Sequence, residues 1–261
     1  RLSATQNCGA VNLTVASMGA LIPARYNTPL LNIQTPPLAR DNSAEICTRN
    51  DNVVDTIIFH HTDSGTGTTV TEINNYHLNR SSSGEPWYMI AYHYVINTPY
   101  KSGAGQTIVS AGRPFEITGA HAGHNIFKAP NAPIIGALKT RGNILCRRGN
   151  NGRPVVPPDI FNRFGEAKAN YTTVAVVVVG NYAEYSRSNP LGYSPKNPRF
   201  MSDAGVDAAG RLACQLQRQH PLIKNISWHS AYKADTKCPG KIVSQINKIK
   251  DVARRFGCEF N

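Results

Sequence analysis

Four residues of this chain are of types that could carry metal chemistry, at positions where α/β folds build sites. His60 and His61 follow the apolar run Val53–Phe59, His229 follows the run Asn225–Trp228, and Cys238 stands nine positions later within KADTKCPG. Open α/β sheets bind ligands outside the carboxyl ends of their strands. Neutral imidazole and thiolate are good zinc ligands. Three protein ligands with a fourth position left to water is the catalytic pattern, whereas a structural site closes with four. The chain offers three: His60 or His61, with His229 and Cys238. By spacing alone the plainer reading, two strand-end histidines and a disulfide cysteine, carries more weight, because a long-range His…His-x8-Cys is no standard zinc motif.

The elements that must position these residues follow from periodicity. VVDTIIF is β-branched and apolar, as a buried central strand is, and it runs directly into His60-His61-Thr62. Val70–Leu78 has helical spacing with Thr69 or Thr71 as its cap. Ala91–Ile96 alternates as a strand, and Thr107–Ser110 is expected to pair with it. Thr172–Val179 is apolar on both faces and belongs mid-sheet. Ser202 caps a helix that ends before Pro221, Asn225–Trp228 is a short strand, and a last helix is expected over Lys241–Phe256. Strands alternating with helices predict an α/β fold: a central mixed β-sheet flanked by helices, as a single domain over 51–261. Residues 1–50 read as an N-terminal extension, and about 127–170, full of Pro, Gly, Asn and Arg, as a long loop insertion.

The 261 residues carry 28 Lys+Arg against 16 Asp+Glu, a net charge of +12, with 41% hydrophobic residues. That composition excludes the disordered class and permits a real core. No apolar stretch reaches the about 18 residues a bilayer requires, so no transmembrane segment is expected. Six cysteines exceed what a cytosolic enzyme usually carries. Together with a start at Arg1 rather than Met, they lead us to expect a processed, secreted or periplasmic protein with one or two disulfides. Cys8 with Cys47 and Cys214 with Cys258 are the expected pairs. The charge admits nucleic acid, an anionic membrane or an acidic polymer as partner. Nucleic acid is ranked last, since no element interleaves basic residues with aromatics on one face.

FHHT after a buried strand, AYHYVI, HAGHN, the VVVVGN strand and WHSAYKADTKCPG, in that order over Val53–Val252, together resemble the zinc-dependent N-acetylmuramoyl-L-alanine amidases of the amidase-2 type. That family includes phage lysozyme-type amidases and the peptidoglycan recognition proteins. The resemblance implies Zn2+ as cofactor, with His60, His229 and Cys238 as its ligands and His61 in the neighbouring position toward the substrate. It implies Tyr92 as a donor beside the metal-bound water. It also implies a catalytic helper two positions before the ligand cysteine, where this chain has Thr236, with Lys237 one place later. His121, Asn125 and Asn181 become candidates for substrate contact.

The chemistry agrees with this resemblance. Zinc lowers the pKa of its water from 15.7 to about 7 and polarises a carbonyl, and amide hydrolysis requires both. A tyrosine of pKa about 10 is a poor base but a good hydrogen-bond donor to an oxyanion. The implied reaction is cleavage between N-acetylmuramic acid and L-alanine of peptidoglycan by a monomer. The alternative is a recognition module that binds the muramyl peptide without cutting it, and the presence of Cys238 favours the enzyme. Two departures stand out: eight residues rather than seven separate His229 from Cys238, and about fifty rather than about ten separate HAGHN from the central strand. An anionic cell wall would also hold a basic protein through attraction that salt weakens, with Arg147, Arg148 and Arg153 as the expected contact.

Overall fold

The computed structural model describes residues 29–40, 54–79, 89–98, 106–122, 138–139, 145–148, 154–155, 169–170, 172–183, 200–233 and 236–261. In chain order the main elements are β1 (Ile33–Gln34), β2 (Thr56–His61), α1 (Val70–Leu78), β3 (Tyr94–Asn97), β4 (Ile108–Ala111), β5 (Leu138–Lys139), β6 (Leu145–Arg148), β7 (Pro154–Val155) and β8 (Thr173–Val178). They continue with α2 (Asp203–Gln219), β9 (Asn225–Trp228), α3 (His229–Tyr232), a 3-10 segment (Gly240–Gln245) and α4 (Ile246–Arg255).

Every residue of β2 and β8 is buried. Their apolar, β-branched runs account for this, since a strand covered on both faces needs no polar alternation. The six-stranded sheet has the order β1-β4-β3-β8-β2-β9. β2 runs parallel to both β8 and β9, and only the β3–β4 pairing is antiparallel. The sheet is therefore mixed. Ile57 and Phe59 of β2 face α2 and α4, packing in one cluster with Leu212, Leu216 and Ile249. Val177 and Val179 pack on the opposite face with Ile73 of α1. Truncating a fully buried leucine such as Leu212 or Leu216 to alanine costs about 2–5 kcal/mol.

Four local expectations shift. The strand expected over Ala91–Ile96 enters the ladder only at Tyr94, because buried Arg113 fastens the preceding segment. Its guanidinium donates to the carbonyls of Ile90, Thr118 and Met89. The last helix opens as a 3-10 turn, a tightening common at helix ends, and becomes α only at Ile246. Residues 29–40, within the expected extension, lie against the domain. β1 pairs with β4, the N–H groups of Leu30 and Leu31 both donate to Gln215 Oε1 at 3.1 Å, and Asn74 Nδ2 donates to Ala39 O at 3.0 Å. The stretch expected as a loop insertion holds a small antiparallel sheet, β5-β6-β7, with Arg147 and Arg148 on β6. Strands of two to four residues leave no periodic signature in a sequence. Of the expected disulfides, Cys214–Cys258 is formed, while Cys8 and Cys47 lie outside the described residues. No helix among the described residues is long and apolar enough to cross a membrane.

Candidate metal centre

The parallel pairing of β2 with β9 sets Phe59 opposite Trp228, so the residues that follow, His60 and His229, meet at the ends of adjacent strands. Their ring centroids are 4.6 Å apart. Cys238 arrives from the loop after α3. Ser230 N–H donates to its carbonyl at 2.9 Å, and its own N–H donates to Thr236 Oγ1 at 3.2 Å. A cis peptide joins it to Pro239, and Gly240 follows with φ +64°. A Cβ at Gly240 would fall onto the Tyr182 carbonyl, which accepts from Lys241 N–H at 2.9 Å, so glycine is required there. That bond ties the cysteine loop to the end of β8.

One donor atom from each of His60, His229 and Cys238 lies within 4.8 Å of the other two. His60 Nδ1 is 3.7 Å from Cys238 Sγ. Zinc bonds of about 2.0 Å to nitrogen and 2.3 Å to sulfur at the tetrahedral angle span about 3.5 Å, so this donor set fits a zinc ion.

The electrostatics fit as well. Burial holds His60 well below the ordinary imidazole range, and the positive fields of His121, His229 and His61 press the same way. His61 is lowered to about 4, by burial and then by His229. Both are neutral at pH 7, as metal ligation by imidazole requires. Burial pushes the Cys238 thiol up to about 12 against the opposing hydrogen bond from His61 N–H, which reaches Sγ at 3.3 Å. A thiol so desolvated ionises when a cation is present to compensate the charge.

The remaining predicted residues divide. Tyr92 is half-buried with its ring 5.2 Å from His60. His61 points to the opposite face of the sheet, where its Nδ1 accepts from Tyr182 N–H at 3.0 Å. His121 is buried in contact with His60, Nδ1 lying 2.9 Å from His60 Nε2. Asn181 is buried and accepts from Ala183 N–H at 3.0 Å, so its side-chain oxygen is used within its own loop. Thr236 is half-buried and Lys237 is exposed, both on the cysteine loop. Asn125 lies outside the described residues. Two contributors went unread in the sequence: Thr173, at 3.2 Å from His121 Nε2, and Asn170, whose Oδ1 accepts from the N–H groups of His121 and Ala122, both at 2.9 Å. The only available signal was the hydroxyl pair Thr172-Thr173 opening an otherwise apolar strand.

The sequence model of the Amidase_2 family, N-acetylmuramoyl-L-alanine amidase, matches residues 50–241. The chain belongs to the Amidase_2 family. The matched span of this Amidase_2 chain takes in His60, Tyr92, His121, Thr173, His229 and Cys238, and stops before α4 and Cys258. No curated protein matches. Solved structures similar to it include the endolysin N-acetylmuramoyl-L-alanine amidase LysCS from Clostridium intestinale, 17% identical with TM-score 0.41, covering 83% of this chain and 99% of that one. Drosophila peptidoglycan recognition protein SD is 17% identical with TM-score 0.45, covering 80% and 93%. The Ph2119 endolysin of a Thermus scotoductus bacteriophage is 16% identical with TM-score 0.43, covering 80% and 89%.

Proposed function

We propose that this Amidase_2 protein is a zinc-dependent amidase that hydrolyses the bond between N-acetylmuramic acid and L-alanine in peptidoglycan. One observation carries the reading: His60, His229 and Cys238, far apart in sequence, present their donor atoms within 4.8 Å of one another at adjacent strand ends. These three residues would hold the ion. When bound, zinc supplies Lewis acidity toward a carbonyl and acidifies water.

The protein's own groups do the rest. The buried ring of His60 keeps water from one side of the centre. Tyr92, against that ring, brings a phenol O–H as donor for the oxyanion that develops on the amide carbonyl. His61 supports the strand end from the opposite face of the sheet, its Nδ1 accepting from Tyr182 N–H. Thr236 and Lys237 directly precede the cysteine and are candidates to position the substrate or to donate to the leaving amine. The Cys214–Cys258 disulfide supports a secreted or periplasmic setting. The net charge of +12 supports attraction to an anionic wall, weakened by salt.

The competing reading is a module that binds peptidoglycan without cleaving it, and the complete ligand set favours the enzyme. Purified protein should carry one zinc per chain and release stem peptides beginning at free L-alanine, read by mass spectrometry of digested muropeptides. Cys238→Ser should lose both properties. Intact muropeptides with tight binding would instead establish the recognition module.

A further inference from the structure

A histidine ligates a metal only through a nitrogen that does not hold a proton, so the tautomer of a buried ligand histidine decides whether its site is ready. In the metal centre that choice is set three residues away from the ion's position. The Thr173 hydroxyl lies 2.5 Å from the Ala169 carbonyl, which can only accept, so the hydroxyl proton is committed there. Thr173 Oγ1 therefore faces His121 as an acceptor, and His121 Nε2, 3.2 Å away, must carry the proton. His121 Nδ1 is then a lone pair. His60 Nε2, 2.9 Å from it, donates, and His60 Nδ1 is left unprotonated on the side where Cys238 Sγ lies at 3.7 Å.

The His121 ring has little freedom to change this arrangement. His121 is only 6% exposed and Thr173 only 1%. Asn170 Oδ1 holds the His121 and Ala122 N–H groups. Gly119 lies so close that a Cβ there would fall against the ring, 2.9 Å from Nε2. The His60 and His121 rings meet edge to face at 88°.

We propose that Thr173 and His121 form a relay that fixes His60 as its Nε2–H tautomer and so presents Nδ1 to the metal. His121 is thus a positioning residue acting through His60. Its consequence for metal binding rests on the zinc reading above, whereas the tautomer itself does not.

The test uses the full chain and zinc alone, with affinity read by competition against a chromophoric chelator. Loss of an outer-shell partner typically weakens a metal site about 10–100-fold, so Thr173→Val should bind zinc about 10-fold more weakly, His121→Phe up to about 100-fold more weakly, and Thr173→Ser close to wild type. Long-range proton–nitrogen spectra of the metal-free wild type should show His60 protonated at Nε2, and Thr173→Val should populate the other tautomer. Wild-type affinity in Thr173→Val, or an Nδ1–H proton on His60 of the wild type, overturns the relay. If the wild type takes up no zinc, the metal reading falls, and the ring spectra still decide the relay. Those spectra need only the wild type, so they decide it even where a variant fails to fold.

Discussion

The ring of Tyr92 lies 5.2 Å from that of His60 at a tilt of 49°, with His77 behind it at 5.7 Å. His77 is itself anchored, its Nδ1 accepting from Ala91 N–H at 3.2 Å. The tyrosine is thus held beside the metal centre without belonging to the ligand set. Tyr92→Phe removes the donor and keeps the packing. Zinc affinity should stay unchanged while the turnover number on purified muropeptides falls about 100-fold, the usual loss for one oxyanion donor. Near-wild-type turnover would remove Tyr92 from the chemistry.

At Gly210 of α2 the chain packs closely against α4. A Cβ there would lie 2.5 Å from Val252 Cγ1 and 2.8 Å from the Ile249 carbonyl oxygen, and backbone cannot yield as a side-chain tip can. Alanine in a helix interior normally gains about 1 kcal/mol over glycine. Here overpacking should reverse the sign, so Gly210→Ala is expected to destabilise by about 1–3 kcal/mol in urea unfolding.

The Cys214–Cys258 bond spans 44 residues and ties α2 to the chain just after α4. Replacing both cysteines with alanine should lower the unfolding free energy by about 2–4 kcal/mol. The proposed zinc site lies at the far ends of the strands, so zinc stoichiometry measured below the unfolding transition should remain one per chain.

Helix α1 opens with a capping box. Thr69 Oγ1 accepts from Glu72 N–H at 3.2 Å, and the Glu72 carboxylate accepts from Thr69 N–H at 2.7 Å. Thr69→Ala should cost about 1 kcal/mol. The bonds from Thr69 hold the Glu72 carboxyl below its ordinary value of 4.5. The folded state therefore binds that proton less readily than the unfolded chain. The contribution is complete above pH 4.5 and fades as pH falls through the lower folded value. Glu72→Gln should be less stable than wild type at pH 7, with the difference shrinking as pH falls below the ordinary carboxyl value, by denaturant midpoint.

Much of this was readable from residue patterns, and what was missed has a physical cause. β8 was legible because its β-branched apolar run fits nothing else, and Asn225–Trp228 because it lies between the helix stop at Pro221 and His229. Ser202 declared itself as a cap, and of the two threonines that could open the first helix the structure uses Thr69. His60, His229 and Cys238 came from a resemblance spread over several motifs, since spacing alone left them ambiguous. The His60–His121 contact was not legible: it depends on how β2 and the segment after β4 converge, and pairing across 61 residues leaves no local pattern. Residues 29–40 escaped for a related reason. Their two-residue strand and a glutamine accepting two N–H groups are cues that exist only once the fold is made.

The order of strands also governs how the molecule is made. β2 has no neighbour from its own part of the chain: Thr56 pairs with Thr173 on one side and Asn225 on the other, and Gly180 N–H reaches Thr62 Oγ1 across 118 residues. During synthesis the central strand must wait, apolar and unpaired, while most of the polypeptide is still to emerge. Such long-range parallel closure is slow and leaves strand edges open to other chains. Production at high concentration or high temperature should therefore be limited by aggregation of nascent chains rather than by the stability of the finished fold.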